Sequence, residues 1–286
     1  MTAFDLRFRP PYDWRAMLSF LDARAVGGVE QVDGDSYRRT VRVSHRGREY
    51  RGWIDLSIVK RASALRVAAS SSLESALAEV SERVKWLMDL SSNPIAVARA
   101  LGRLAEPNPG LRVPGAFDGF EVGVRAILGQ QVTVAAARTF AGRFAAAFGS
   151  PLGSPPSASL SVVFPSPEKV AKLKIDQIAR LGVIASRARS IVALARAIVD
   201  GTIRLEPTAD AASEMKKLRA LPGIGEWTAQ YIAMRALGWR DAFPHTDFGV
   251  MKALGETSPR RVLEAGEAWR PWRSYAVMHL WHSLHQ

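Results

Sequence analysis

The 286-residue chain contains no cysteine. That absence excludes disulfides, thiolate zinc sites, cysteine-ligated iron–sulfur clusters and a cysteine nucleophile together, and it fits a reducing cytosol. Long apolar runs are missing as well. No stretch approaches the roughly 18 uncharged apolar residues that a membrane span needs. Residues 1–11 carry Asp5, Arg7 and Arg9 without an apolar segment, unlike a secretory signal. Acidic charge is scarce: 27 Asp and Glu against 39 Lys and Arg leave a formal net charge of +12. A balance this basic favours polyanions, and nucleic acid is the commonest polyanion a cytoplasmic protein meets. Charge alone does not name a partner, since many basic proteins bind none.

What remains is ordinary core material. With 48% hydrophobic and 23% charged residues, the chain reads as a soluble globular protein, and its length suggests two domains at roughly one per 150 residues. Residues 1–92 read as mixed α and β. A helix after Asp13 puts Met17, Phe20 and Leu21 on one face and stops at Gly27 and Gly28. Alternation follows: Tyr37, Arg39, Val41 and Val43 share one parity, Ile54, Leu56 and Ile58 another strand, and Leu65 and Val67 a third. These predict an antiparallel meander. Leu73, Leu77, Val80, Val84 and Leu87 then return to the helical period, giving a helix to cover the sheet.

Beyond Asn93 no segment alternates convincingly, so residues 93–286 read as all-α. Helices are expected near 117–128, 132–148, 168–180, 186–200, 209–220, 226–237, 247–254 and 273–283. Residues 150–167 carry five prolines among serines and read as a surface loop with neither period nor core. No internal repeat of fixed period is present.

The most informative stretch is LPGIG at 221–225, running into EWTAQY at 226–231. Its plain reading is helix, short turn, helix. Gly223 and Gly225 permit positive φ, and Ile224 plugs the angle between the helices. Such a turn is often only a connector. It also leaves amide N–H groups free at the start of the second helix, where a phosphate oxygen fits. About twenty residues on lies Asp247, in FPHTDFGVM. Alone it reads as an acidic residue in the first turn of a helix capped by Thr246. Trp227 and Tyr231, at i and i+4, share a helix face, an arrangement that suits a core as well as a pocket. His245 and His282 stand apart from any cluster with metal-ligand spacing and read as surface or cleft-wall residues.

The pattern LPGIG resembles the helix-hairpin-helix element of DNA repair proteins. With Asp247 at this distance it is similar to the hairpin-GPD superfamily of base-excision DNA glycosylases. Residues 10–14 (PPYDW), 23–26 (ARAV), 102–104 (GRL), 120–130 (FEVGVRAILGQ), 272–275 (WRSY) and 279–281 (HLW) extend the resemblance along nearly the whole chain. They point to the 3-methyladenine DNA glycosylase II family of bacterial alkylation-repair enzymes. The resemblance implies an α+β chain: a small N-terminal antiparallel sheet with helices, like one repeat of the TATA-binding protein, followed by a larger all-α helix-hairpin-helix body whose two parts flank a cleft.

It further implies that Asp247 is the catalytic carboxylate and that Phe20, Trp227, Tyr231 and Trp281 line a stacking pocket for a base. Gln131, Gly223, Ile224, Gly225 and Thr228 would contact DNA. The partner is then double-stranded DNA containing damaged bases, met by a monomer in the bacterial cytoplasm, with no membrane and no cofactor required. The family suggests a monovalent cation held by backbone carbonyls, here those of Arg219, Leu221 and Gly223. Bifunctional relatives carry a lysine where this chain has Trp227, so an intact strand with an abasic site is the expected product. Gln131 departs from the family's best-known form, which has a leucine there that fills the gap left by the flipped base. Two other readings stay open: a glycosylase-lyase for other damaged bases, and a non-catalytic hairpin module with no use for Asp247 or an aromatic pocket.

Overall fold

The computed structural model describes residues 1–59 and 61–284. Five antiparallel strands form the first unit: β1 (Thr2–Arg7), β2 (Glu30–Asp33), β3 (Ser36–His45), β4 (Arg48–Val59) and β5 (Ala64–Ala69), in the order β1-β5-β4-β3-β2. β3 to β5 make the expected meander, with β2 and β1 added at its two edges. β1 and β2 lie outside the expected strands: the first is an edge strand of six residues whose Phe4 and Leu6 share one parity, and the second has four residues only. Register places Tyr37 opposite Leu56 and Leu56 opposite Val67, so the three share one face. All three are fully buried there. That face packs against α1 (Trp14–Ala23), started by Asp13 accepting from the Ala16 amide, and α2 (Leu77–Leu87), which follows a 3-10 turn over Ser71–Ala76.

The helical body contains α3 (Pro94–Leu101), α4 (Gly119–Leu128), α5 (Val134–Phe148), α6 (Pro167–Val170), α7 (Ile175–Ala179), α8 (Ala185–Val199), α9 (Ala211–Ala220), α10 (Glu226–Ile232), α11 (Phe248–Leu254), α12 (Pro259–Gly266) and α13 (Arg273–Ser283). The helix expected over 168–180 is two short ones, and α10 runs on as a π turn over Ala233–Leu237 that ends at left-handed Gly238. α3 and α12 begin at Pro94 and Pro259, and each is only eight residues long, too short for its periodicity to stand out.

The proline-rich segment differs from expectation. Leu152, Leu160, Val163 and Phe164 are buried, and Ser150–Pro151 pairs with Val162–Val163 in a two-residue ladder. The Val162 amide donates to the Gly28 carbonyl and Thr40 Oγ1 donates to the Val162 carbonyl at 2.7 Å. The segment has a core because the sheet unit and the helical body supply it, which local sequence does not reveal.

A buried ionic cluster joins the two units. Arg39, inward by parity and 3% exposed, bonds Glu121 of α4 at 2.6 Å, while Arg125 bonds both Glu121 and Glu30 at 2.9 Å. Tyr37 donates to Glu30 at 2.6 Å and the Val26 amide donates to it at 3.0 Å. Each carboxylate thus meets two guanidiniums, which is the arrangement that repays burying the charges. Arg125 also donates to the Arg24 carbonyl at 2.6 Å, fixing the end of α1 against α4.

Candidate active site

The end of α1, the first turns of α10 and α11, and the last turn of α13 meet in one place. Each brings a residue named from sequence. Asp247 is the N-cap of α11, not a first-turn residue capped by Thr246: its Oδ1 accepts from the Val250 amide at 3.0 Å. The same oxygen accepts from Trp281 Nε1 at 2.8 Å, and Oδ2 accepts from Trp227 Nε1 at 2.8 Å. A carboxylate oxygen has two lone pairs. Oδ1 therefore has both engaged, while Oδ2 keeps one for a substrate or a water.

The aromatic rings surround this carboxylate. Trp227 and Tyr231 stack with centroids 5.4 Å apart and planes 20° from parallel; Phe20 and Trp281 lie 6.4 Å apart at 21°; Tyr231 and Trp281 lie 6.3 Å apart at 42°. All four are half-buried, so each ring packs on the core and keeps area toward open space. The i, i+4 spacing of Trp227 and Tyr231 serves pocket and core at once.

Two arginines that sequence reasoning left out belong to the same cluster. The Arg24 guanidinium sits 3.9 Å from the centroid of Phe20 and 6.0 Å from that of Trp281. Arg235 donates to Tyr231 Oη at 2.8 Å and spends its other nitrogens on the carbonyls of Pro114 and Gly115. Burial alone would raise the Tyr231 phenol, yet Arg235, Arg24 and Arg125 together bring it below its ordinary value. The signal for both was helical spacing: Arg24 follows Phe20 by four residues and Arg235 follows Tyr231 by four.

The hairpin forms a second patch. Gly223 has φ +74°, a left-handed position, and any Cβ there would clash with Ser190 Oγ, which donates to the Pro222 carbonyl at 2.7 Å. Gly225 departs from expectation: its φ is −88° and its ψ is −177°, extended backbone open to any residue, and a Cβ placed there would meet nothing within 4 Å. Space outside the protein, not conformation, is what Gly225 preserves. No side chain caps α10, and among the described residues the amides of Gly225 and Glu226 have no partner.

Ile224 and Thr228, both expected to contact DNA, have buried side chains, at 4% and 2% exposure. Thr228 Oγ1 accepts from Gln130 Nε2 at 2.9 Å, and the same amide donates to the Gly223 carbonyl at 2.8 Å. Gln130, missed from sequence, thus ties the α4–α5 turn to the hairpin, and Arg187 donates to the Gln130 carbonyl. Its neighbour Gln131 is exposed at the tip of that turn with φ +52°. Of the three carbonyls suggested for a cation, Gly223 accepts from Gln130 and Leu221 accepts from the Ile224 amide at 3.3 Å, which leaves each a second lone pair. Among the described residues there is no group of three or more His, Cys, Asp or Glu able to hold a metal. No helix there is long and apolar enough to cross a membrane.

Comparison with known proteins covers nearly the whole chain. Residues 3–118 match the AlkA N-terminal domain and residues 124–261 the HhH-GPD superfamily of base excision DNA repair proteins. DNA-3-methyladenine glycosylase 2 of Escherichia coli is 39% identical over 280 residues, covering 98% of this chain and 97% of that one. The fold of the 3-methyladenine DNA glycosylase from Archaeoglobus fulgidus superposes with a TM-score of 0.80 at 19% identity, covering 98% and 97% of the two chains. MBOgg1, solved with a low-affinity DNA ligand, gives 0.74 at 16% identity, covering 100% and 97%. The chain belongs to the DNA-3-methyladenine glycosylase 2 family, within the HhH-GPD superfamily of base excision DNA repair proteins.

Proposed function

We propose that the protein is a monofunctional DNA glycosylase that excises alkylated purines from duplex DNA, acting as a monomer with Asp247 as its catalytic carboxylate. The observation that carries this reading is the placement of one carboxylate, held by two indole N–H groups, at the edge of a four-ring aromatic cluster.

The glycosidic bond lies inside the duplex, so the nucleotide must leave the stack before chemistry begins. The hairpin amides take phosphate oxygens and carry no sequence information. The extruded base stacks on Trp227, Tyr231, Trp281 and Phe20. Alkylation at N3 or N7 makes a purine cationic, which improves both its stacking on electron-rich rings and its departure. Cleavage leaves an oxocarbenium-like sugar. A carboxylate about 4 Å from that carbon, at an effective dielectric near 20, offers about 4 kcal/mol, or roughly a thousandfold in rate. Asp247 Oδ2 supplies this charge either to the sugar or through a water held on its open lone pair. Trp227 occupies the position of the lyase lysine and has no amine to attack the sugar. A monovalent cation at the hairpin would be held by the carbonyls of Arg219, Leu221 and Gly223, and it would add positive charge beside the bound phosphate.

Incubation with randomly methylated DNA, followed by chromatography of the released bases and borohydride trapping, tests this. Release of 3-methyladenine and 7-methylguanine with no trapped adduct is the expected result. Recovery of no free base would overturn the glycosylase reading, and a trapped adduct would replace it with a glycosylase-lyase.

A further inference from the structure

Phe248 is 80% exposed, the most exposed large apolar side chain among the described residues. Single apolar residues on a surface are common, so exposure alone says nothing; the position does. Phe248 is the first residue of α11, directly after its N-cap Asp247. The next residue, Gly249, forms the pocket wall: a Cβ there would stand 2.9 Å from Trp281 Cδ1 and 3.1 Å from Asp247 Oδ1. Residues 247 and 249 therefore face the site while 248 projects away from the protein.

The ring stands one residue from the carboxylate to which a strand would bring its sugar. Consecutive Cα atoms are about 3.8 Å apart and successive bases of a strand about 3.4 Å apart, so the ring reaches the nucleotides flanking the one at Asp247. Extrusion of a base exposes the apolar faces of its neighbours, and an inserted apolar side chain stabilises such a gap. The exposed tip of the α4–α5 turn offers the polar Gln131 instead. Phe248 is the uncharged, solvent-facing ring beside the carboxylate, and it covers apolar base faces without adding to the repulsion between Asp247 and phosphates.

We propose that Phe248 packs against the base stack of the duplex beside the extruded nucleotide, as an apolar wedge supplied from the catalytic-carboxylate side of the cleft. This rests on the glycosylase reading above. The test compares the parent protein, Phe248→Ala and Phe248→Trp in two measurements. One is single-turnover release of 7-methylguanine from a duplex and from the same oligonucleotide as a single strand. The other is equilibrium affinity for a duplex containing an uncharged tetrahydrofuran nucleotide. Phe248→Ala should lose about tenfold or more in duplex release and in affinity, with single-strand release within about twofold of the parent, and Phe248→Trp should restore both losses. Equal losses on duplex and single strand would make Phe248 a support for Asp247 and overturn the wedge, as would parent-like behaviour of the Ala variant. If the parent releases no base at all, the glycosylase reading falls, while the affinity measurement still decides whether Phe248 contacts the duplex.

Discussion

Trp227 donates its indole N–H to Asp247 across twenty residues of sequence, at 2.8 Å. One indole thus fixes one oxygen of the carboxylate and, being no amine, offers no nucleophile of its own. Trp281 fixes the other oxygen from α13, so two rings of the aromatic cluster and the carboxylate are joined by hydrogen bonds.

The two indole bonds can be separated from stacking. Trp281→Phe keeps a ring and loses the N–H, and base release should fall about tenfold to a hundredfold, the worth of a hydrogen bond to a charged group. Trp281→Ala should lose more, because a stacking face goes too. Single-turnover rates on one duplex lesion decide it: equal rates for the parent and the Phe variant would show that the bond does not hold Asp247.

The hairpin glycines should behave differently from each other. Gly225→Val meets no neighbour and adopts an allowed backbone, so Tm should stay within about 2 °C of the parent, while affinity for all DNA sequences falls alike. Gly223→Val must leave its left-handed position and displace Ser190, so Tm and affinity should drop together. Thermal melts with filter binding on two unrelated duplexes check both; a sequence-selective loss at Gly225 would place bases, not phosphates, at the turn.

The ionic cluster should hold the sheet unit on the body. Glu121→Ala leaves Arg39 and Arg125 short of a shared carboxylate. Unpairing a buried charge costs about 3–5 kcal/mol, a drop of roughly 10 °C in Tm. Since Arg125 also holds the Arg24 carbonyl, base release at a temperature where the variant is folded should fall with it. An unchanged melt would mean that water takes the carboxylate's place.

Two groups on or beside α13 set opposing pH dependences. His279 is buried, and burial with His282 nearby lowers its imidazole to about 4 from 6.5. In that window the unfolded chain binds the proton and the folded chain does not, so stability falls as pH drops, by roughly 3 kcal/mol in all. Asp89 is raised to about 6 from 3.8 by burial, against Arg112 and the hydrogen bond from Tyr275. Here the folded protein binds the proton first, and stability rises as pH falls through the window, again by roughly 3 kcal/mol. The two nearly cancel in the parent. Asp89→Asn keeps an acceptor for Tyr275, so its Tm should fall more steeply than the parent's from pH 6.5 to 4, and His279→Gln should show the reverse. Parallel Tm curves for all three proteins would contradict both shifts.

The meander, most helices and the hairpin were legible because each rests on local pattern: alternation from Tyr37 to Val43, helical spacing from Leu73 to Leu87, glycines at the turn. Asp247 and the four rings were legible through motif resemblance. What sequence did not show depends on distant partners. Gln130 has no partner until the hairpin closes on it, and Arg39 is only a strand residue until Glu121 arrives from α4; Arg24 and Arg235 are the exception, since each stands four residues after the ring it meets. Leu160 and Val163 lie in a proline-rich segment whose core belongs to other elements. Gly225 differs from expectation for a related reason: the turn motif fixes a glycine without saying whether backbone angle or outside space requires it.

The catalytic assignment of Asp247 is tested most directly by single-turnover base release from a 7-methylguanine duplex by Asp247→Asn, with affinity for the same duplex measured in parallel. The amide keeps an oxygen for one indole and removes the charge, so release should fall by roughly a thousandfold while affinity stays within about threefold, since phosphate binding is proposed for the hairpin amides and not for Asp247. Release within threefold of the parent at unchanged affinity would contradict it and move the catalytic charge to another residue.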